Sequence, residues 1–376
     1  MRTRPIVLDA RTATSHFPGI GRTVIGLARA LATCPAMPQV MLLHGPDPDL
    51  RLPLSQGPGV TCRSSPFSLS QQWEVRACLR RARATLYHSP YYLMPIAPGV
   101  PSVVTCNDLI PLTAPGLFGR PARLAYRLAH ALAFRIASAI VVPSVSPRDD
   151  VARLFPQHRR KVEVVPHGWE FAEAIDEDRS ARHRRQLGVP DVYVLAVGTN
   201  KPHKNLGILV EAWDSVLRRR RDDRRKVTMV LAGPRDRRFD DGGPTGERLK
   251  AAGHLISLGP VSDEALAALY GGGTLFVCPS LAEGFGLPVV EAMGLGAPVI
   301  CSRIPALVEL AGAAAALFDP MDAEALARLL EDLLDAPDER ESMRQAGFAR
   351  AAAFTWERAA DAMARLYERV GGARST

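Results

Sequence analysis

Long apolar runs are absent from this chain of 376 residues. A segment able to span a bilayer needs about 20 consecutive apolar residues. Residues 1–5 lead straight into a strand-like run at 6–8, so neither a signal peptide nor a spanning helix is expected. Close cysteine pairs are absent too. The six cysteines stand at 34, 62, 78, 106, 278 and 301. That spacing excludes a zinc site or disulfide frame and reads as buried small hydrophobes in a reducing cytosol. No repeat of 20–50 residues is visible. The basic run at 217–226 has no interleaved aromatics, which argues against an RNA surface. It reads instead as a solvated loop with cations at a helix C-terminus. A full dinucleotide fingerprint is missing as well: Val24 stands where Gly19-Ile20-Gly21 calls for a third glycine, which disfavours a Rossmann oxidoreductase.

What is present has the size of about two domains. Residues 1–166 carry 20 Lys+Arg and 8 Asp+Glu, a net of +12, whereas the remainder carries 27 and 31, a net of −4. Short apolar runs at 6–9, 40–44, 85–88, 102–106, 139–143 and 162–165 alternate with helical patterns at 21–32, 71–83 and 121–137. A second alternation follows: strands at 192–197, 227–232, 274–278 and 297–301, and helices at 205–218, 263–270 and 323–335. Ser262 is the expected N-cap of the helix at 263–270. Alternation of this kind implies an α/β fold with parallel sheets covered by helices. Two Rossmann-like lobes are the natural reading, with a ligand near the carboxyl ends of the strands. The expected division is 1–166, a polar connection at 167–190, a second lobe at 191–353, and a terminal segment at 354–376.

The most informative stretch runs from 279 to 293. A short apolar strand at 274–278 precedes Glu283-Gly284-Phe285-Gly286-Leu287-Pro288, and Glu291 follows. Proline suits the first helical position because its missing N–H has no intrahelical partner there. Strand, glycine turn and helix start, in that order, expose backbone N–H groups and a positive dipole end to an anion. Glu291 is expected in the first helical turn. Two carboxylates beside a phosphate site can accept hydrogen bonds from neutral hydroxyls, and phosphate with hydroxyls describes a nucleotide sugar.

This run resembles the E-x7-E motif of retaining GT-B glycosyltransferases of family 4 (group 1), in a mannosyltransferase-like subfamily. The resemblance extends from Gly19 to the region of Trp356. It implies a GT-B fold: two Rossmann-like domains facing a central cleft, with a C-terminal helix crossing back to the first. Acceptor binds the first domain and donor the second. Glu291 would then hold the ribose and Glu283 the hydroxyls of the donor sugar, with Gly284, Phe285, Gly286 and Leu287 around the phosphate. In 198–206, Thr199, His203 and Lys204 follow a strand and open a helix. Lys204 matches the family lysine that stabilises the departing diphosphate. The family arginine is replaced by His203 or Thr199, and Lys201 is a possible substitute. Gly19 and Gly21 resemble the glycine-rich loop that touches the donor.

In the first lobe, His88 and the Asn107-Asp108 pair each follow a strand. The family usually has a histidine that contacts the donor sugar or the transferring centre where this chain has Asn107, so the resemblance puts Asn107 on the acceptor or sugar side. Asparagine both donates and accepts hydrogen bonds but does not titrate near pH 7, so a histidine base at 107 is excluded. Asp108 is the nearby carboxylate, either part of the chemistry with Glu283 and Lys204 or a turn-former capping its own backbone. His88 is either on the acceptor side or a buried structural histidine. Ser144 and His167 read as architectural. Asp47-Pro48-Asp49 looks like the D-x-D metal motif of GT-A enzymes, but it sits in a Pro-rich loop whose surroundings do not fit that fold.

The resemblance therefore implies a hexosyltransferase using a nucleotide sugar, with GDP-mannose favoured, in bacterial surface polysaccharide synthesis. No metal and no cofactor is expected. The acceptor would be a glycan or a polyprenyl-diphosphate-linked sugar, and no nucleic acid is expected as a partner. A non-catalytic scaffold that keeps the fold is the alternative, with an oxidoreductase behind it. Arg120, Arg123, Arg127, His130 and Arg135 recur at near-helical spacing. Leu124, Leu128, Leu132 and Ile136 recur on another face. This helix is either packed with a solvated basic face or lies against anionic lipid. The expected location is cytoplasmic, with peripheral contact to the inner face of the membrane.

Overall fold

The computed structural model describes residues 5–14, 18–35, 39–49, 51–54, 59–170, 176–220, 227–240 and 242–372. The chain forms two compact units, Met1–Gly168 with Phe354–Thr376, and Trp169–Ala353.

The first unit is built on β1 (Ile6–Asp9), β2 (Val40–His44), β3 (Gly59–Thr61), β4 (Leu86–Ser89), β5 (Ser102–Thr105), β6 (Ala139–Val142) and β7 (Val162–Val164). They form one parallel sheet in the order β3-β2-β1-β4-β5-β6-β7. Its central strands are buried on both faces, which is why they read as near-continuous apolar runs. Alternation along β1 sends Ile6 and Leu8 into one core and Val7 into the other. The first core lies under the helices Pro18–Thr33 and Trp356–Gly372, through Val24, Ala28, Leu31, Trp356 and Met363. The second holds Tyr87, Val104, Phe134 and Ile140.

The second unit carries β8 (Tyr193–Val197), β9 (Thr228–Ala232), β10 (Leu255–Gly259), β11 (Leu275–Cys278), β12 (Val299–Ser302) and β13 (Ala315–Phe318). Their parallel order is β10-β9-β8-β11-β12-β13. Helices Leu206–Arg219 and Ala323–Asp335 cover one face, with Trp213, Leu326 and Leu330 wholly buried. Two parallel α/β units of this kind, with the last helix packed in the first, make the GT-B fold.

Several expectations need correction. Within the expected connection at 167–190, Glu177–Gln186 is a helix of the second unit. Its composition is polar, but Arg184 is buried against Gly272 and donates to the Ala268 carbonyl (3.3 Å) and to Glu177 (2.6 Å). Residues 171–175 lie outside the described residues. The first helix begins at Pro18, three residues before the expected start, so Gly19 and Gly21 lie inside its first turns. Ser262 does cap its helix, its hydroxyl accepting from Ala265 N at 3.2 Å. In the basic run, Arg218 pairs with Asp214, Arg219 with Glu324 and Glu331, and Arg220 with Asp335. Arg218 and Arg219 do lie in the last turn of their helix, as expected, but Arg219 and Arg220 reach across to the helix Ala323–Asp335 where a solvated loop was expected, and 221–226 lie outside the described residues. All six cysteines are free, five of them buried. Among the described residues, no helix is long and apolar enough to cross a membrane.

Candidate functional site

In the second unit, β8 and β11 are neighbours from which the strand order runs outward in opposite directions. Such a switch point opens a crevice at the carboxyl ends of the strands. The chain leaves β8 at Gly198 (φ +148°), and a Cβ on Gly233 (φ +134°) would fall 2.3 Å from the Gly198 carbonyl oxygen. Only glycine allows the ends of β8 and β9 to pack backbone on backbone there. Asn200 then ties in the neighbouring loop. Its Oδ1 accepts from Asp236 N (2.7 Å), and its Nδ2 donates to the carbonyls of Asp236 (3.2 Å) and Phe239 (2.7 Å). A single 3-10 turn, Pro202–Lys204, carries the chain into the helix at Leu206.

That turn delivers Lys204 to Glu283. Lys204 Nζ donates to Glu283 Oε1 at 2.6 Å, and Ser280 Oγ donates to the same oxygen at 2.7 Å. The backbone holds the two loops together, Leu281 N donating to the His203 carbonyl at 2.7 Å. Burial alone would raise the Glu283 carboxyl. The Lys204 charge and the hydrogen bonds from Lys204 and Ser280 outweigh it and hold the group below its ordinary value. Glu283 is therefore a carboxylate, suited to accept hydrogen bonds and not to act as a general acid. His203 is pushed down to about 4 by burial, with Lys204 adding repulsion. It is neutral at pH 7, so it does not replace the missing family arginine. Lys201 is exposed, and Thr199 is half-buried in the same loop.

After Glu283, the turn Gly284-Phe285-Gly286 enters the helix Leu287–Gly294. Gly286 sits at φ +102°, and a Cβ there would meet Leu307 Cδ2 at 2.5 Å. Phe285 is buried beside it. The helix begins at Leu287, so Pro288 is its second residue and Glu291 its fifth. The expectation of Glu291 in the first turn is thus corrected. Glu291 is buried, and Tyr270 Oη donates to its Oε2 at 3.0 Å. The structure brings Lys204, His203 and Glu283 together, and seats Glu291 deeper, on Tyr270.

The first unit places its expected residues differently. His88 is fully buried, with Nδ1 2.6 Å from Tyr367 Oη and Nε2 2.8 Å from Thr105 Oγ1. Burial holds it down to about 3. It anchors the terminal helix, so the acceptor-side reading of His88 gives way to the structural one. Asp108 Oδ1 accepts from Ile110 N at 3.0 Å, a turn-capping role, and the Asp108 carbonyl accepts from Tyr126 Oη at 3.1 Å. Asn107 is half-buried, and its Oδ1 lies 3.0 Å from His167 Nε2. Gly21 leaves room for the Thr14 carbonyl, 3.3 Å from where a Cβ would sit, while residues 15–17 lie outside the described residues. Asp49 is occupied by Arg51 at 2.7 Å. Among the described residues, no group of three or more His, Cys, Asp or Glu stands together to hold a metal.

Sequence reasoning missed Ser280, Asn200 and Tyr270. Ser280, three residues before Glu283, was within reach of it by spacing. Tyr270 and Asn200 act across 21 and 36 residues, and nothing local marks them.

Comparison with known proteins defines the class. The model for "Glycosyl transferases group 1" matches residues 179–350, and that for "Glycosyltransferase Family 4" matches residues 18–172. Anabaena HepE, solved with UDP-glucose, superposes with a TM-score of 0.75 at 19% identity, over 97% of this chain and 99% of that one. WaaG, a glycosyltransferase involved in lipopolysaccharide biosynthesis, gives 0.72 at 16% identity, over 96% and 99%.

The chain belongs to the group 1, family 4 glycosyltransferases. Among curated relatives, the O-antigen chain mannosyltransferase B of Escherichia coli is 29% identical over 90% of this chain and 93% of its own length. The serotype-specific mannosyltransferase WbdA of Escherichia coli is 30% identical over 72% of this chain, which spans about a third (34%) of that relative.

Proposed function

We propose that this chain is a retaining hexosyltransferase that moves mannose from GDP-mannose to a glycan or polyprenyl-linked acceptor in surface polysaccharide synthesis. The observation that carries the reading is the Lys204–Glu283–Ser280 cluster beside the Gly286 helix start, at the switch point of the second unit. In this reading, Lys204 turns to the diphosphate as negative charge develops on the leaving group. Glu283, kept ionised, accepts hydrogen bonds from the donor sugar. Glu291, braced by Tyr270, takes the ribose hydroxyls. Attack from the front face, with the departing phosphate taking the acceptor proton, requires no protein nucleophile. The mannosyltransferase relatives favour mannose over other hexoses. No metal takes part, so chelation with EDTA leaves the rate unchanged.

A thermal-shift screen over GDP-, UDP-, dTDP- and ADP-sugars and NAD, paired with a transfer assay, tests this. A native-state ligand raises the melting temperature by mass action. GDP-mannose is expected to give the largest shift, and Glu283→Ala to lower transfer by about 10²–10³-fold, the scale of losing a key electrostatic group. Binding without transfer supports the scaffold reading, a shift with NAD alone supports the oxidoreductase, and full activity in Glu283→Ala removes the donor-site assignment.

Peripheral attachment of the first unit to anionic lipid belongs to the same proposal. On the helix Arg120–Ile136, Leu124, Leu128 and Leu132 are 59%, 62% and 41% exposed, alongside exposed Arg120, Arg127 and Arg135. The buried face is instead His130, Ala133 and Phe134. Exposed leucines flanked by arginines suit a lipid interface. Leu124→Ser with Leu128→Ser is expected to cut sedimentation with phosphatidylglycerol vesicles at least about 5-fold, given the area those side chains bury. Unchanged sedimentation rejects the attachment.

A further inference from the structure

Four large apolar side chains of the first unit stand exposed together, on and beside the helix Gln71–Arg81. Leu69, Trp73, Ile96 and Phe67 are 82%, 71%, 56% and 53% exposed. Ile96 is drawn to the helix by its N–H, which donates to Gln72 Oε1 at 2.7 Å. The inner side of the helix is Val75, Cys78 and Leu79. Its outer side runs from Trp73 to exposed Arg76 and Arg80, three and seven residues on. Acid is nearly missing from this part of the chain. Residues 51–148 hold eleven arginines against two acidic residues, Glu74 and Asp108. The Glu74 carboxylate turns back onto its own loop. Its Oε1 accepts from Arg63 N (2.7 Å), and its Oε2 accepts from Ser64 N (2.9 Å) and Ser64 Oγ. Asp108 Oδ1 accepts from Ile110 N.

The helix Arg120–Ile136 covers the same face of the sheet. Val75, Cys78 and Leu79 share one core with its Ala133 and Phe134, so the outer sides of the two helices point away from one sheet surface. A line of rings joins them: Phe67 to Tyr91 at 5.9 Å, Tyr91 to Tyr92 at 4.2 Å, and Tyr92 to Tyr126, on the second helix, at 5.0 Å. We propose that Leu69, Trp73 and Ile96, with Arg76 and Arg80, form a second lipid-contact surface. It enters the same anionic bilayer as Leu124 and Leu128, so that the first unit is held at two points. The two-point arrangement rests on the attachment proposed above for Arg120–Ile136, whereas the contact at Trp73 stands on its own exposure and charge. Apolar side chains with arginines alongside suit the boundary of headgroup and acyl chain, where tryptophan is enriched. A second copy of this surface would set arginine against arginine, and a nucleic acid gains nothing from exposed Leu69 and Ile96. Two linked contacts bind far more tightly than either alone, because the second forms at a high effective concentration.

Trp73 supplies its own probe. Of the four tryptophans, Trp213 and Trp356 are buried, and Trp169 is half-buried with its Nε1 donating to the Ala351 carbonyl. With phosphatidylglycerol vesicles, the emission of the full chain is expected to move to the blue and to be quenched by brominated acyl chains. Trp73→Phe is expected to abolish both changes while the protein still sediments with the vesicles. Phosphatidylcholine vesicles are expected to give neither change, because the arginines then have no anion to meet. Leu69→Ser with Trp73→Ser alters exposed side chains only, so the melting temperature is expected to hold. Sedimentation with phosphatidylglycerol vesicles is expected to fall at least about 5-fold, and further when Leu124→Ser and Leu128→Ser are added. No quenching, quenching that survives Trp73→Phe, or unchanged sedimentation of the Leu69→Ser, Trp73→Ser variant overturns the proposal. An equal response to phosphatidylcholine overturns the part given to the arginines. If the Leu69 and Trp73 substitutions abolish sedimentation and those at Leu124 and Leu128 leave it unchanged, attachment through Arg120–Ile136 fails, and with it the two-point arrangement, while the contact at Trp73 stands. Loss of RNA binding or of self-association in the Leu69→Ser, Trp73→Ser variant, with no lipid quenching in the wild type, gives the surface to that partner instead and overturns the lipid contact.

Discussion

Each unit has a switch point, between β1 and β4 in the first and between β8 and β11 in the second. The topology is the same, yet the chemistry differs. In the second, Lys204 and Glu283 meet with side chains 19% and 9% exposed, near enough to solvent for a ligand to compete for either. In the first, the same place is filled by a closed network. Arg11 pairs with Asp9 at 2.6 Å and donates to the Ser64 carbonyl (2.9 Å) and Gln71 Oε1 (3.2 Å), while Tyr87 Oη donates to Asp9 at 2.6 Å. Both charges are almost wholly buried. Burial alone would lower the Arg11 guanidinium, but Asp9 outweighs it and keeps the cation firmly protonated. The first unit thus uses its switch point as a brace, and its polar candidates move one strand along, to Asn107 at the end of β5. Fold topology supplies the position, and side chains decide whether it becomes a site.

The largest expected effect that can break this comparison is at Arg11. Removing one partner of a buried ion pair leaves an uncompensated charge, at a cost of about 3–5 kcal/mol. Arg11→Ala is therefore expected to lower the stability of the first unit by that amount in urea denaturation. Transfer by the fraction still folded is expected to be unchanged. A variant of normal stability that has lost transfer would show instead that the first switch point is a working site.

How much of this was legible follows the range of the interactions. The helix Ala323–Asp335 was read to the residue because its apolar period is strong and Asp322 caps it, accepting from Ala325 N at 2.8 Å. The Glu283 turn was legible because strand, glycines and proline are local signals. By contrast, β13 (Ala315–Phe318) is alanine-rich and gives no strand pattern, and β3 is a three-residue edge. The helix Glu177–Gln186 was hidden because its packing depends on Arg184 reaching Ala268, 84 residues away. The pairing of Lys204 with Glu283 spans 79 residues, that of His167 with Asn107 spans 60, and that of His88 with Tyr367 spans 279. No local pattern encodes such pairs, so residue types were readable where partners were not.

A smaller effect separates the units by pH. His88, His130 and His167 in the first unit are held down to about 3, 4 and 4 by burial, against His203 alone, at about 4, in the second. The unfolded histidines titrate near about 6.5. Depressed values of this kind contribute stability that is complete above the unfolded value. It is lost as pH falls from there through about 4, because the unfolded chain takes up protons that the folded one refuses. Each histidine gives a slope of up to about 1.4 kcal/mol per pH unit, and burial also holds His158 of the first unit below its ordinary value, so the first unit is expected to weaken at least about three times as steeply as the second from its histidines. Hydrogen exchange of β5 and β8 between pH 7 and pH 4.5 measures this. Equal slopes would mean that the two interiors respond alike to acid.

The smallest expected effect concerns the terminal helix. Tyr367→Phe keeps the ring that meets His88 edge-on at 5.7 Å but removes the hydroxyl bound to His88 Nδ1. His88 retains Thr105 on its other nitrogen, so the loss is one buried hydrogen bond, about 1–2 kcal/mol. The effect is expected to be local: faster exchange along Trp356–Gly372, with no change in the Lys204–Glu283 region. His88→Leu combined with Tyr367→Phe and Thr105→Val removes all three polar groups of this chain of hydrogen bonds and is expected to recover part of the loss, because neither an unpaired nitrogen nor an unpaired hydroxyl is left buried. If Tyr367→Phe instead reduced donor binding in the second unit, the terminal helix would couple the two units, and their separation into brace and site would fail.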